Sequence, residues 1–250
     1  MAQLADIVAY CNRRLDIPAF PDFAGAVNGL QMANNGTVTR IGAAVDAGLV
    51  PFRRAAEAGV DFLIVHHGMF WDPPRPFTGV NYEKLALLID ANIAVYGAHL
   101  PLDAHPEIGN NALLARRFDL EPTETFLPFE GRDLGIIARC AHSRAELRQR
   151  LTQHFNSVTA LEFGSERPER VAILTGSGAG IGGELAAAGV DTLITGELKE
   201  HFFNRAQEEK LNIYACGHYA TEVFGVCALA EELANQFDLP WTFIATDNPL

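Results

Sequence analysis

Three separate stretches of this chain end in side chains that bind divalent ions. They are Ile64-Val65-His66-His67-Gly68, then Tyr96-Gly97-Ala98-His99 with Asp103 following, then Cys216-Gly217-His218 with Glu222 following. Imidazole and carboxylate donors without thiolate suit zinc, manganese or iron. His99 and Asp103 are four residues apart, as are His218 and Glu222. At a helix start that spacing puts both side chains on one face. His66 and His67 would diverge in a regular strand, because side chains alternate; a strand end before Gly68 relaxes this and lets neighbours serve two ions. A pair of ions makes a nucleophile at neutral pH and polarises an electrophile. With one ion, Glu222 becomes a candidate general base. The candidate ligands are therefore His66, His67, Asp103, His218 and Glu222, with Glu222 also the candidate catalytic residue. His99 is either a ligand or partner that orients Asp103, or a buried histidine satisfied by backbone. His105 reads as a loop residue able to contact substrate. His142 and His154 read as surface residues, and His201 as a helix-surface residue.

Each ligand stretch follows a short β-branched or apolar run that predicts a buried strand. In α/β proteins ligands collect at the carboxyl ends of parallel strands. The chain also repeats itself. Ala58-Gly59-Val60-Asp61 aligns with Ala188-Gly189-Val190-Asp191 at an offset of 130, and Arg40-Ile41 with Arg170-Val171 at the same offset. Asn92-Ile93 matches Asn212-Ile213, and Phe118-Asp119-Leu120 matches Phe237-Asp238-Leu239. Two related α/β halves follow, residues 1–126 and 127–250, with the metal site expected at their interface. Predicted strands lie near 40–46, 61–66, 93–98 and 123–127, then near 170–175, 191–195, 212–216 and 242–246. Predicted helices lie near 49–58, 82–91 and 106–118, then near 180–188, 199–209 and 220–236. The alternation implies largely parallel or mixed sheets covered by helices. The stretch 127–169 has no counterpart and reads as strand 134–139, helix 143–154 capped by Ser143, and strand 158–163.

Bulk properties narrow the function. The net charge is -12, so the surface should repel nucleic acid and anionic membranes. An anionic small molecule stays acceptable, because bound cations dominate the field around them. The cysteines Cys11, Cys140, Cys216 and Cys227 make no CxxC pair, which points to reduced thiols in the cytoplasm. The stretch 1–16 lacks the basic start and apolar core of a signal peptide. Pro73-Pro74-Arg75-Pro76 predicts a rigid loop beside the double histidine. A rival motif, Gly178-Ala179-Gly180-Ile181-Gly182-Gly183, formally contains GxGxxG, with Glu197 where a ribose-binding acid would stand. The first half has no equivalent glycine pattern, which favours a tight turn or a phosphate-binding loop over a dinucleotide site.

The motifs Asn28-Gly29-Leu30-Gln31, Ile64 to Trp71, His99 to Asp103, Thr195-Gly196-Glu197 and Gly217 to Glu222 carry a resemblance. The chain resembles, over nearly its whole length, the NIF-three-like dinuclear metal-centre family, the type 2 homologues of GTP cyclohydrolase I. That resemblance implies two interlocked α/β halves and a toroidal homohexamer. It implies a two-metal site made by residues matching His66, His67, Asp103, His218 and Glu222. It also implies a hydrolase opening the purine ring of a small-molecule nucleotide substrate such as GTP. Pro101 stands where the family more often has a small polar residue. Two alternatives remain: a non-enzymatic, metal-dependent scaffold or regulatory protein, and a DNA-processing role, which the acidic charge disfavours.

Overall fold

A computed structural model describes residues 1–71, 75–178, 181 and 183–250. The chain divides into two compact units. The first comprises residues 1–102 and 225–247, the second residues 103–224 and 248–250.

The strands of the first unit begin with β1 (Ala2–Gln3) and β3 (Thr37–Val38), which pair with each other in a two-stranded ladder. The others are β2 (Gly29–Met32), β4 (Ile41–Asp46), β5 (Phe62–His67), β6 (Ala94–Gly97) and β13 (Trp241–Phe243). These five form one sheet in the order β13-β4-β5-β6-β2. β13, β4, β5 and β6 run parallel, and β2 is antiparallel to β6. The central strand β5 reads Phe-Leu-Ile-Val-His-His and is buried from Phe62 to His66. Such an unbroken apolar run is what a parallel strand needs when helices cover both faces. The helix Leu49–Glu57 buries Pro51, Phe52 and Ala55 on one side. Phe52 and Ala55 join Ala44, Leu63, Val65, Leu88, Val95 and Ile244 in the core.

The strands of the second unit are β7 (Glu121–Phe129), β8 (Arg132–Arg139), β9 (Thr159–Glu162), β10 (Arg170–Ser177), β11 (Thr192–Glu197) and β12 (Asn212–Ala215). They form a six-stranded sheet in the order β7-β8-β10-β11-β12-β9. β10, β11 and β12 are parallel, and the outer three strands are antiparallel to their neighbours. The parallel triplet β10-β11-β12 repeats β4-β5-β6, and β11 lies 130 residues after β5 residue for residue. The strand at 121–129 sits in this sheet, whereas the strand at 241–243 pairs with β4. The helix over Arg144–His154 has its predicted Ser143 cap, completed as a capping box by Glu146. Of the helix expected near 180–188, Glu184–Ala187 is helical, and positions 180 and 182 lie outside the described residues. Among the described residues no helix is long and apolar enough to cross a membrane.

Two of the repeated sequence words, Ala-Gly-Val-Asp and Phe-Asp-Leu, turn out to be helix ends, whereas Arg40-Ile41 and Arg170-Val171 stand at the starts of β4 and β10. Gly59 and Gly189 adopt φ of 68° and 63°. In each case the next amide reaches back to close the helix, Val60 N to Ala55 O and Val190 N to Leu185 O. This is the Schellman arrangement, and glycine enters its left-handed position without a Cβ penalty. Asn92, Asp119 and Asp238 take the same left-handed conformation, with Ile93, Leu120 and Leu239 closing onto Leu88, Ala115 and Ala234. Asn212-Ile213 differs from Asn92-Ile93: it opens β12, and the helix before it is closed by left-handed Lys210 with Leu211 reaching back to Ala206.

Candidate metal centre

In the first unit, β5 ends on His66 and His67, and β6 is followed at once by Ala98 and His99. His66 is fully buried, and its Nδ1 lies 2.8 Å from the carbonyl oxygen of Ala98. A carbonyl only accepts, so Nδ1 carries the proton and Nε2 the lone pair. His67 Nδ1 lies 2.8 Å from Asp46 Oδ1, at the end of neighbouring β4, where Asp46 and His67 are register partners. His99 Nδ1 lies 2.8 Å from Asp22 Oδ1. Asp22 also accepts from Asn28 Nδ2 and the Leu100 amide. Burial works to raise the Asp22 carboxyl, but the hydrogen bonds from His99, Asn28 and Leu100 outweigh it and hold it below the ordinary range. Asp22 is thus an anion that orients His99. One ligand nitrogen from each of His66, His67 and His99 lies within 4.8 Å of the others. Imidazoles tied through Nδ1 to an oxygen are the usual outer support of metal-binding histidines, because the bond fixes tautomer and ring angle.

The second unit carries the carboxylates. Asp103 closes the short helix Leu100–Asp103 and is buried. Its Oδ1 accepts from Asn110 Nδ2 at 2.7 Å and Thr175 Oγ1 at 3.2 Å. His218 opens the helix His218–Thr221, and Glu222 follows it, only 2% exposed. His218 Nδ1 is 3.3 Å from Glu197 Oε1, and its Nε2 is 3.1 Å from Glu222 Oε1. Burial alone would make His218 less basic, but Glu222 and then Glu197 raise it to about 9. Carboxylate oxygens of Asp103 and Glu222 lie within 4.8 Å of each other. Two buried carboxylates this close repel unless a cation stands by. Without an ion a protonated His218 supplies that charge; with a divalent ion bound, His218 would give up its proton to ligate and the ion would supply the charge instead. The donor chemistry, imidazoles in one cluster and buried carboxylates in the other, fits hard or borderline divalent ions.

Gly176 shows how tightly the carboxylate cluster is built. Its φ is +66°, and a Cβ there would stand 2.2 Å from Glu222 Oε1 and 3.2 Å from His218 Nε2. The strand end can approach these side chains only as glycine.

The structure brings His66 and His67 together with His99, and Asp103, His218 and Glu222 together with Glu197. The adjacent histidines converge, with ring centroids 4.9 Å apart. Glu197 ends β11 where His67 ends β5, so the offset of 130 pointed to it, although its acid had been matched to ribose binding instead. Asp22, Asp46 and Asn110 escaped the sequence reading, because no spacing ties them to the candidate ligands; Asn28 stood in a recognised motif, but its bond to His99 did not show there. His105 Nδ1 accepts from the Glu107 and Ile108 amides and shapes its own loop. His142 is half-buried against the Phe118 carbonyl, and His154 and His201 are exposed. The four cysteines are free, and Cys11, Cys140 and Cys216 are buried. The proline-rich loop and the glycine loop lie partly outside the described residues, at 72–74 and at 179, 180 and 182.

Residues 2–249 match the family described as Duf34/NIF3 (NGG1p interacting factor 3). The chain belongs to the Duf34/NIF3 family. It is 40% identical over 244 residues to a Deinococcus radiodurans protein called GTP cyclohydrolase 1 type 2 homolog, covering 96% of this chain and 91% of that one. A Yersinia pestis protein of the same name is 39% identical, covering 95% and 96%. Among solved structures, TTHA1606 from Thermus thermophilus superposes with a TM-score of 0.86 at 38% identity, covering all of both chains. The protein ybgI, described as of unknown function, superposes with a TM-score of 0.91 at 35% identity, again over all of both chains. The mixed α/β fold is thus shared with both solved structures over the full length of each chain.

Proposed function

We propose that this Duf34/NIF3 chain is a metal-dependent hydrolase with cyclohydrolase-like action on a nucleotide, GTP ring opening being the specific candidate. His66, His67, Asp103, His218 and Glu222 would hold two divalent ions. The observation that carries this reading is the Nδ1 anchoring of three clustered imidazoles, His66 on a carbonyl, His67 on Asp46 and His99 on Asp22. A buried core histidine also needs a hydrogen-bond partner; what favours a metal is that three anchored imidazoles bring ligand nitrogens within 4.8 Å of one another. The names of the Deinococcus and Yersinia relatives favour the cyclohydrolase reaction.

When bound, the ions supply Lewis acidity and water activation. The protein's own groups set the geometry. Asp46 and Asp22 hold His67 and His99 at fixed ring angles. Asn110 and Thr175 fix the Asp103 carboxylate. With only one ion bound, Glu222, nearly shut off from solvent, would instead hold a proton on a carboxylate oxygen as general base. The assembly is proposed to be a homohexamer in the cytoplasm.

The test is metal per chain and GTP turnover for the wild type, His67→Ala and Glu222→Ala. Loss of both metal and turnover, with folding retained, supports the reading. Wild-type turnover in both variants would refute it. Full metal occupancy without turnover of GTP or any related heterocycle would favour a non-enzymatic metal protein.

A further inference from the structure

In the first unit, His67 and His99 pack against exposed aromatic rings. Trp71 lies edge-to-face with His99 at 4.7 Å and 79°, and with His67 at 5.9 Å and 78°. Phe23 approaches His99 from another segment, at 6.2 Å and 47°. Yet Trp71 remains 38% exposed and Phe23 52% exposed. Large aromatic side chains in a rigid setting are usually better buried than this.

Their setting is rigid. The Gln31 carboxamide joins the two segments that carry them. Its Oε1 accepts from the Met69 amide at 2.6 Å, and its Nε2 donates to the carbonyls of Ala26 and Val27 at 3.0 and 2.9 Å. Gly25 lies against Trp71, and a Cβ there would meet the Trp71 backbone and ring at 3.2 to 3.3 Å. The Phe23 segment is held from its other end by Asp22 and Asn28, the residues that orient His99. The same hydrogen bonds therefore hold the imidazoles and the exposed rings.

We infer that Phe23 and Trp71 form the recognition surface for a planar heteroaromatic ring, holding it beside the histidine cluster. This rests on the proposed function only in naming the ring as the part of the substrate that reacts. An aromatic pair offers π-faces to any flat base, and stacking needs no hydrogen-bond match. A sugar phosphate without a ring system would gain nothing from it. Phe23 and Trp71 are thus specificity-determining residues, distinct from the metal ligands.

The chain has two tryptophans, Trp71 and Trp241. In a Trp241→Phe background, emission reports Trp71 alone. Metal-loaded protein is titrated with guanosine 5′-monophosphate and, separately, ribose 5-phosphate. The nucleotide should quench Trp71, and the sugar phosphate should not. By calorimetry, Phe23→Ala and Trp71→Ala should each bind the nucleotide about tenfold more weakly, the size expected for one lost stacking contact. Trp71→Phe should recover most of the affinity, and metal content should stay at the wild-type level throughout. Equal binding of ribose 5-phosphate, or unchanged nucleotide affinity in both alanine variants, would overturn the inference. So would absence of ring-dependent binding at millimolar nucleotide. A changed assembly mass in Trp71→Ala with unchanged nucleotide affinity would likewise overturn it, making the rings a contact between copies of the chain. Failure of the hydrolase reading shows elsewhere, as full turnover in His67→Ala and Glu222→Ala, and leaves the quenching result standing.

Discussion

Replacing Gly176 by alanine should damage the carboxylate cluster while sparing the fold. Two effects operate. Alanine at φ +66° costs about 1–2 kcal/mol, because Cβ crowds the following carbonyl in the left-handed region. The new methyl would also stand 2.2 Å from Glu222 Oε1, where real contacts are not below 3.0 Å, so the carboxylate must retreat by at least 0.8 Å. Glu222 is buried and has no solvent to swing into, so the motion breaks its 3.1 Å contact with His218. The strain should lower Tm by roughly 2–8 °C for a chain of this size. Misplacing one carboxylate should weaken metal binding about 10- to 100-fold, as loss of a ligand's supporting partner does. Gly131→Ala is the control: its φ is +88°, but a Cβ there meets nothing within 4 Å. It shares the strain and not the clash. The assay is chelator stripping, reloading with zinc or manganese, and competition against an indicator of known affinity, with Tm measured on the same samples. Wild-type metal affinity in Gly176→Ala, or equal losses in Gly131→Ala, would refute the reasoning.

Other outcomes follow from the same geometry. Asp46→Asn should keep the fold but loosen the His67 ring and weaken metal binding about 10- to 100-fold, read by the same competition assay. Ser143→Ala should cost about 1 kcal/mol through loss of the capping box, a fall in Tm of about 2–4 °C. The Glu146 carboxyl is held below its ordinary value, first by the Ser143 hydroxyl and then by the Ser143 amide. Its contribution is therefore present above the ordinary carboxylate pKa and lost as pH falls through the folded value, so the gap between wild type and Ser143→Ala should narrow in acid melts. Burial pushes the Cys216 and Cys227 thiols up to about 12 and raises Cys11 and Cys140 as well. Native protein at pH 8 should react slowly with Ellman's reagent, and all four thiols should react in denaturant.

Much of the architecture was legible because it is written locally. A buried parallel strand reads as a continuous apolar run, as Phe62 to Val65 of β5 and Val171 to Leu174 of β10 do. A Schellman helix end needs a left-handed residue followed by an apolar one, which is why Ala-Gly-Val-Asp and Phe-Asp-Leu recur where helices stop. The candidate ligands His66, His67, Asp103, His218 and Glu222 could be singled out because strand ends and four-residue spacing are short-range features.

What the one-dimensional pattern could not show is partnership across distance. Asp22 meets His99 across 77 positions, and Thr175 meets Asp103 across 72. Gln31 and Met69 bond across 38. Such pairs obey no periodicity, since the loops between them set no fixed register. The last strand, 241–243, joined β4 for the same reason: sheet order is decided by which edge offers unpaired backbone groups and a complementary apolar face. Residue types and local spacing therefore determined which side chains can bind a cation. Only the folded chain decided how each is oriented, because orientation depends on hydrogen-bond partners brought near by packing.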